Sequence, residues 1–594
     1  MSYSFIDNLK FIIFPICRKN IKFLFQILGE IITTVSAPVI GIILTTRIVE
    51  MLNNDTMFIS IVFSILSISV GYALVSGLQT FFFRINFGNC IQTRFSIFYR
   101  MVAEKQMSLP VYVAEEQETI KMQEKASKAV AGNWSGIEGF LRNFIRIVVS
   151  VAGLCTYSLI VGCINPGIVL LLLVITGINL CVDAYANKYF NQKRESLIES
   201  GITTDYILNI MQNTSSGKDI RLYGLKPWIL QKYENELQIQ NKIYWKVDVL
   251  FLISKCVKIL LDAIRNLVSY FFLINELKQG LAITEFVFYL GIIGGFTSWF
   301  DEISRRIVGL LRCNRDVSGY REFLDLQWKN ECRKEISTDF SSVEIFAEDV
   351  LFQYAETETP VINNLSLHIK PGEHVALVGL NGEGKSTLIK LLSGLYFPDN
   401  GKIAINGVDI NNLDISQYMH NQSVMFQDLF IMSYSIAENI ALSEEWDEER
   451  IWDCIKKADL EEKIKSLPEG IFTYLGRDIS DNGISLSGGE CQKLLLARAL
   501  YRDSSLIIFD EPTASMDAVS EEEFYSLFGN ILKGKTVLFV SHRLSSTRFC
   551  DRILVLQHGS IAEEGTHEEL LKKNGIYSKL FQLQSKYYTE NMSK

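Results

Sequence analysis

No two of the eleven cysteines stand in a C-x-x-C spacing, and their number is odd. A secreted disulfide framework and a structural zinc module both lose their basis. Buried or membrane thiols in a reducing compartment are the simpler reading. Charge is also scarce. Asp, Glu, Lys and Arg make up 21% of the 594 residues against 48% hydrophobic residues, which is too apolar for a disordered chain or an ordinary soluble protein. A removable signal is not expected, because residues 1–22 carry Asp7, Lys10, Arg18, Lys19 and Lys22 and lack a small-residue cleavage site after their apolar run. That stretch reads as an amphipathic helix lying along a membrane surface.

What charge there is divides unevenly. Residues 341–594 hold 23 of the 58 Lys+Arg and 38 of the 67 Asp+Glu, a net of −15, whereas residues 1–340 stand at +6. The division predicts a membrane domain over 1–325, a linker over 326–340 and a soluble domain over 341–594. Six apolar runs in the first part, at 23–44, 57–83, 144–164, 168–186, 257–274 and 281–300, match the roughly 20 helical residues that cross a bilayer core. Their connections alternate between short turns, whose only basic residues are Arg47 and Lys278, and long segments of about 60 to 70 residues rich in Lys and Arg. The positive-inside rule puts the long segments, the N-terminus and everything after 300 on the cytoplasmic side of a cell membrane. Helix-forming composition at 92–107, 118–131 and 192–211 predicts that the spans continue as helices beyond the bilayer, with breaks near Pro110 and at the Gly217/Gly224 pair.

From Glu344 onward the period changes to short β-rich runs between helical stretches, the pattern of a mainly parallel α/β domain. The run at 374–378 leads into Gly379-Leu380-Asn381-Gly382-Glu383-Gly384-Lys385-Ser386-Thr387, which fits G-x-x-x-x-G-K-[ST]. In that motif backbone N–H groups turn in around phosphates, Lys385 reaches the terminal phosphates and Ser386 offers a hydroxyl to Mg2+. A second apolar strand, 506–509, runs into Asp510 and Glu511. Two acids at the end of a buried strand need a cation or hydrogen bonds, so Asp510 suits Mg2+ and Glu511 suits polarising a water.

With Leu486-Ser487-Gly488-Gly489-Glu490 ahead of that strand, Gln427 between the two motifs, Tyr354 before and His542 after, the sequence resembles the ATP-binding cassette family. Six spans fused ahead of one cassette is the arrangement of its exporters. The resemblance therefore implies a membrane α-helical domain of six long helices followed by an α/β P-loop NTPase domain. It implies an ATPase using ATP and Mg2+, with a second half-transporter chain, the lipid bilayer and a transported cargo as partners and no nucleic acid. It assigns Tyr354 to adenine stacking, Gln427 to sensing Mg2+ and the attacking water, and Ser487, Gly488 and Gly489 to the γ-phosphate held by the opposite cassette. Asp517 takes the cross-dimer carboxylate role, and His542 holds the γ-phosphate beside the base Glu511. Homodimer and heterodimer both remain compatible. The turns near 109–116 and 217–223 match the coupling helices of exporters in position. Glu490 and Cys491 stand where Gln and Arg are common, and Arg477-Asp478 replaces the usual glutamate after Gly476. No cysteine-peptidase domain precedes the first span, so leader cleavage by this chain is not expected.

Ionisable residues in spans mark function or internal pairing. Glu30, Arg146, Asp183, Asp262 and Arg265 fall there, and Lys255, Lys258, Asp262 and Arg265 share one helical face. Glu30, Asp262 and Arg265 are candidates for touching a peptidic or amphiphilic cargo, with salt bridges between helices as the equal alternative. Gly291, Gly294, Gly295 and Pro38 are candidate bending points. A lipid flippase, an importer of exporter fold and an ATP-gated sensor or channel remain the rival functions.

Overall fold

The computed structural model describes residues 3–19, 21–54, 56–162, 166–213, 216–328, 336–354, 357–428, 430–512, 532–541, 544 and 546–590. It divides into two compact units, Met1–Leu109 with Ala114–Leu326, and Pro110–Val113 with Gln327–Lys594.

The first unit is helical. After α1 (Phe5–Lys19) come α2 (Ile21–Asn53) and α3 (Phe58–Thr93), which runs through a π-helical turn, Arg94–Tyr99, into α4 (Arg100–Ser108). Pro110 ends that helix by holding Leu109 extended at φ −66°, ψ 134°. A short helix, α5 (Val111–Ala114), whose first three residues belong to the second unit, precedes α6 (Gln117–Ala131), α7 (Gly136–Gly162), α8 (Pro166–Gln212), α9 (Gly217–Leu222), α10 (Lys226–Lys278) and α11 (Ile283–Leu324). The predicted spans fall on α2, α3, α7, α8, α10 and α11. Among the described residues four stretches, Ile21–Asn53, Phe58–Ser108, Gly136–Gly162 and Ile283–Leu324, are long and apolar enough to cross a membrane. In α10 the span expected at 257–274 contains Lys258, Asp262 and Arg265, which lower its hydropathy. The helices outrun the apolar stretches: the 53 residues of α10 amount to about 80 Å at 1.5 Å each.

Within this unit α7 and α11 interlock. A Cβ on Gly153 would stand 2.6 Å from the Trp299 ring, and one on Gly295 would stand 2.4 Å from Tyr157, so each glycine is the seat for the other helix's aromatic. Gly295 thus has a packing role, and a Cβ on Gly291 would meet Ile42 at 3.0 Å. The first helix is pinned as well as amphipathic: the fully buried Asn8 donates from Nδ2 to Asn314 Oδ1 at 3.0 Å and to Ser318 Oγ at 2.9 Å. A buried triad ties α7 to the π-helical turn. Glu138 lies 2.5 Å from Arg142 and 3.2 Å from Arg94, with all three side chains at most 5% exposed.

The second unit contains two sheets. One is antiparallel, ordered β2-β1-β4-β5, from β1 (Ile345–Phe352), β2 (Ile362–Ile369), β4 (Asn400–Ile405) and β5 (Val408–Asp409). The other is ordered β10-β9-β3-β8-β7-β6, from β3 (His374–Val378), β6 (Gln422–Met425), β7 (Leu506–Asp510), β8 (Thr536–Val540), β9 (Arg552–Gln557) and β10 (Ser560–Gly565). Its pairs are parallel except β9 with β10. All five residues of β7 and of β8 are buried, as a strand covered on both faces requires. Val111 and Tyr112 belong to this unit and pack on its core. The Tyr112 ring meets Phe397 edge-on with centroids 5.7 Å apart.

A candidate nucleotide site

Both motif strands, β3 and β7, end on the same edge of the parallel sheet, separated by β8, and ligands of open α/β sheets gather at such strand ends. From β3 the chain turns through Gly379–Gly384 into α12 (Lys385–Leu392). Gly382 and Gly384 have φ of +85° and +98°, left-handed values that a side chain disfavours. At Gly384 there is no room for one either: a Cβ would meet Ile362 Cδ1 at 2.9 Å and the Val361 carbonyl at 3.0 Å. The buried Lys385 ammonium folds onto the loop, donating to the Gly379 and Leu380 carbonyls at 2.9 and 2.8 Å. Burial pulls its pKa below the ordinary value, against the attraction of Glu511, Asp510 and Glu383. Both its partners are neutral carbonyls, and a phosphate oxygen is a stronger acceptor for an ammonium.

Asp510 is 5% exposed and accepts a hydrogen bond from Ser386. Burial, then the neighbouring Glu511, pushes its pKa up to about 6, while Ser386 and Lys385 act in the opposite direction. Glu511 follows in a left-handed backbone, φ +52°, with its N–H bonded to the Val540 carbonyl at 2.9 Å. Such a conformation costs a non-glycine residue about 1 kcal/mol or more and persists where the surroundings enforce it. Its Oε2 accepts from Gln427 Nε2 at 3.2 Å. Tyr354 reaches the same place, its hydroxyl 3.1 Å from Thr387 Oγ1 and its ring set edgewise on Phe352 and Tyr396. Lys385, Ser386, Thr387, Asp510, Glu511, Gln427 and Tyr354 are therefore brought together around one phosphate loop.

Asp510, Ser386 and Gln427 offer hard oxygen donors, and the raised pKa of Asp510 marks a buried carboxylate short of positive charge. That set fits Mg2+, which takes one or two protein ligands and fills its shell with phosphate and water. Among the described residues no group of three or more His, Cys, Asp and Glu side chains forms a metal cluster of its own.

The signature residues lie elsewhere in the cassette. Ser487 is the N-cap of the helix Gly488–Arg502, and with Glu490 it forms a full capping box. Glu490 accepts the Ser487 N–H at 2.7 Å and stands 2.9 Å from Lys463 Nζ. Burial alone would raise the Glu490 pKa, but the Ser487 and Lys463 hydrogen bonds outweigh it and hold the carboxyl below its usual value. Ser487 and Gly488 are exposed at the end of a 15-residue helix, where unpaired N–H groups and the helix dipole favour an anion. His542 and Asp517 lie outside the described residues.

Residues 362–514 match the family model described as ABC transporter. Over 569 residues the chain is 29% identical to the subtilin transport ATP-binding protein SpaT of Bacillus subtilis, covering 91% of this chain and 88% of that protein. Residues 362–514 are thus an ABC transporter domain. Similarity to the ATP-dependent lipid A-core flippase of Burkholderia orbicola is 36% over 241 residues, spanning 41% of the transporter and 40% of the flippase. In fold, the transporter superposes on a bacterial Atm1-family ABC exporter solved with ATP bound, with a TM-score of 0.80 at 20% identity, over 96% of this chain and 98% of that one. It is an ATPase whose hydrolysis is coupled to transport, built as a half-transporter with fused membrane and nucleotide-binding parts.

Four residues beside the phosphate loop, Ser541, Leu544, Leu580 and Gln584, escaped the motif reading. An open cavity against the phosphate loop is lined by Gly379, Leu380, Asn381, Ser541 and Leu544, and also by Leu580 and Gln584 from the helix Ile576–Glu590. Nothing in the local pattern around 580–584 signals this; only the packing brings that helix here.

In the helical unit, the three candidate cargo residues are all internally paired. Glu30, 2% exposed, accepts from Asn86 Nδ2 at 2.6 Å and lies 3.4 Å from Arg146. Asp262 lies 3.0 Å from the buried Arg265, one helical turn away. Lys258, on the same face, meets Asp301 at 3.1 Å.

Proposed function

We propose that the transporter exports a peptidic or amphiphilic cargo across the cell membrane by alternating access, working as a dimer of half-transporters. The observation that carries this reading is the hydrogen-bonded pair Gln427–Glu511 at the end of β7, beside the Lys385 loop. In that arrangement Glu511 polarises the attacking water, and Lys385 and the Gly382–Gly384 backbone hold the phosphates. Asp510, Ser386 and Gln427 would hold Mg2+, whose chemistry would be to neutralise charge on the phosphates.

Ser487–Gly489 sit on a separate helix of the cassette, and the family resemblance implies that they complete the site of the partner's cassette, with Asp517 and His542 contributing likewise. ATP then favours the closed dimer by binding it more tightly than the open one, and hydrolysis releases it. SpaT aligns over nearly the full length and is named for subtilin transport, which supports a peptidic cargo. The flippase similarity is confined to about two fifths of each chain. Glu30, paired with Arg146 of another helix, supports the salt-bridge alternative, whereas Asp262 and Arg265 pair within α10. By the positive-inside rule the N-terminus, the long helical extensions and the cassettes face the cytoplasm.

Changing Glu511 to Gln tests the catalytic part: hydrolysis is expected to disappear while ATP traps closed dimers. Wild-type turnover in that variant would refute the assignment. ATP-dependent uptake of a labelled peptide into inside-out vesicles tests the direction, and lipid-stimulated turnover with no peptide movement would shift the reading to a flippase.

A further inference from the structure

Glu383 puts a carboxylate inside the phosphate loop, between Gly382 and Gly384. A negative charge at that place repels bound phosphates, and its field reaches Lys385, where it favours the ammonium. The side chain is 14% exposed and reaches the turn between β9 and β10. There its Oε2 accepts the backbone N–H of His558. The same oxygen lies 3.9 Å from Nδ1 of the His558 ring, which is itself 85% exposed.

The turn is shaped to deliver that N–H. His558 has a left-handed backbone, φ +49°, and Gly559 follows at +75°. A Cβ on Gly559 would stand 2.5 Å from the Val361 carbonyl, and the Gly559 carbonyl accepts the Asn363 N–H at 3.0 Å. The Val361 carbonyl is also the near neighbour of Gly384, where a Cβ would meet it at 3.0 Å. Residues 361–363, which lead into β2, therefore touch both the turn and the phosphate loop, and the Glu383–His558 bond closes the third side. Backbone N–H groups bind phosphates best when they already point inward. With left-handed glycines on both sides of residue 383, the loop needs an outside contact to hold that shape.

We propose that Glu383 is a positioning residue for nucleotide binding, which anchors the phosphate loop to the β9–β10 turn through the His558 N–H. The anchoring outweighs the repulsion between its charge and the phosphates. This inference deepens the reading of residues 379–387 as the phosphate site and rests on it. Because the loop backbone cradles phosphates that ATP and ADP share, both nucleotides are expected to respond alike.

The test is equilibrium binding of ATP and ADP, with steady-state ATPase and melting temperatures, for the full chain in nanodiscs carrying Glu383→Ala, Glu383→Gln, Gly559→Ala or Lys385→Ala. Losing the bond in Glu383→Ala is expected to weaken both nucleotides about three- to tenfold, with the loss of activity appearing in KM rather than in kcat. Glu383→Gln keeps an acceptor for the His558 N–H and drops the repelling charge, so it is expected to bind both at least as tightly as wild type. Gly559→Ala displaces the turn and is expected to weaken binding like Glu383→Ala. Combining the two should add no more than about twofold, because both break one link. A purely structural contact would lower the melting temperature and kcat with the folded fraction while the folded protein keeps wild-type affinity, and that result would overturn the proposal. Binding as weak in Glu383→Gln as in Glu383→Ala, or tighter in Glu383→Ala than in wild type, would overturn it too. Unchanged nucleotide binding in Lys385→Ala would overturn the reading of the loop, and the proposal with it.

Discussion

Lys463 Nζ stands 2.9 Å from Glu490 Oε1 while the other carboxylate oxygen accepts the Ser487 N–H at 2.7 Å, so one side chain both caps the signature helix and ties it to the segment Glu461–Lys465. Glu490 was conspicuous in the sequence because Gln is common there. Either residue can close an S-x-x-[EQ] capping box. The carboxylate adds a charge-assisted bond to a lysine.

Glu490→Ala is expected to destabilise the cassette by about 1 kcal/mol through loss of the cap, and Glu490→Gln by less, as read by denaturant unfolding. The depressed pKa of Glu490 gives the pH sign. Its contribution is fully present above the unfolded value near 4.5 and is lost as pH falls through the lower folded value. Wild type is therefore expected to lose its advantage over Glu490→Ala only below about pH 4.5.

Asp510 has the opposite sign. Its folded pKa of about 6 lies above its ordinary value of 3.8, so the nucleotide-free fold prefers the protonated form. Between about pH 4 and 6 wild type is expected to lose stability relative to Asp510→Asn as pH rises, and to show no further divergence above that window. A parallel pair of melting curves across this range would contradict the buried, uncompensated state of Asp510.

Removing Glu138 leaves the guanidinium groups of Arg94 and Arg142 buried without their carboxylate. Glu138→Ala is expected to cost about 3–5 kcal/mol, seen as a large fall in melting temperature in detergent. A change within a degree or two would mean that water or other groups already solvate the triad.

At Gly384 both the +98° φ and the contacts with Ile362 and Val361 oppose a side chain. Gly384→Ala is expected to reduce ATP affinity by about fivefold or more through distortion of the loop, as strained substitutions at left-handed positions cost about 1 kcal/mol or more. Binding of a fluorescent ATP analogue measures it, and unchanged affinity would show that the loop can re-form around a methyl group.

The chemistry of the cassette was legible because it is written locally. Lys385, Ser386, Asp510 and Glu511 lie in contiguous motifs whose spacing follows from one strand feeding one loop. The helices were legible in place, and helix-forming composition at 92–107, 118–131 and 192–211 marked helix beyond the apolar runs; hydropathy alone is silent once a helix such as α10 continues among charged residues. What sequence could not give was pairing across distance. Glu30 with Arg146 and Asn86, Leu544 with Gln584, and Gly295 with Tyr157 each join positions from about 40 to 140 residues apart, and no local periodicity encodes a partner. Asn8 illustrates the same limit: composition made its helix a membrane-surface element, and only packing reveals that it is also bonded to Asn314 and Ser318.

Tyr112 and Val111 are separated in sequence from the rest of the second unit by more than 200 residues, yet they complete its core against Phe397 and Tyr396. A recombinant fragment beginning near residue 341 would consequently be born with a bare aromatic scar. Such a fragment would tend to clump through that spot, and a soluble version would need polar replacements there or the missing four-residue piece supplied as a graft.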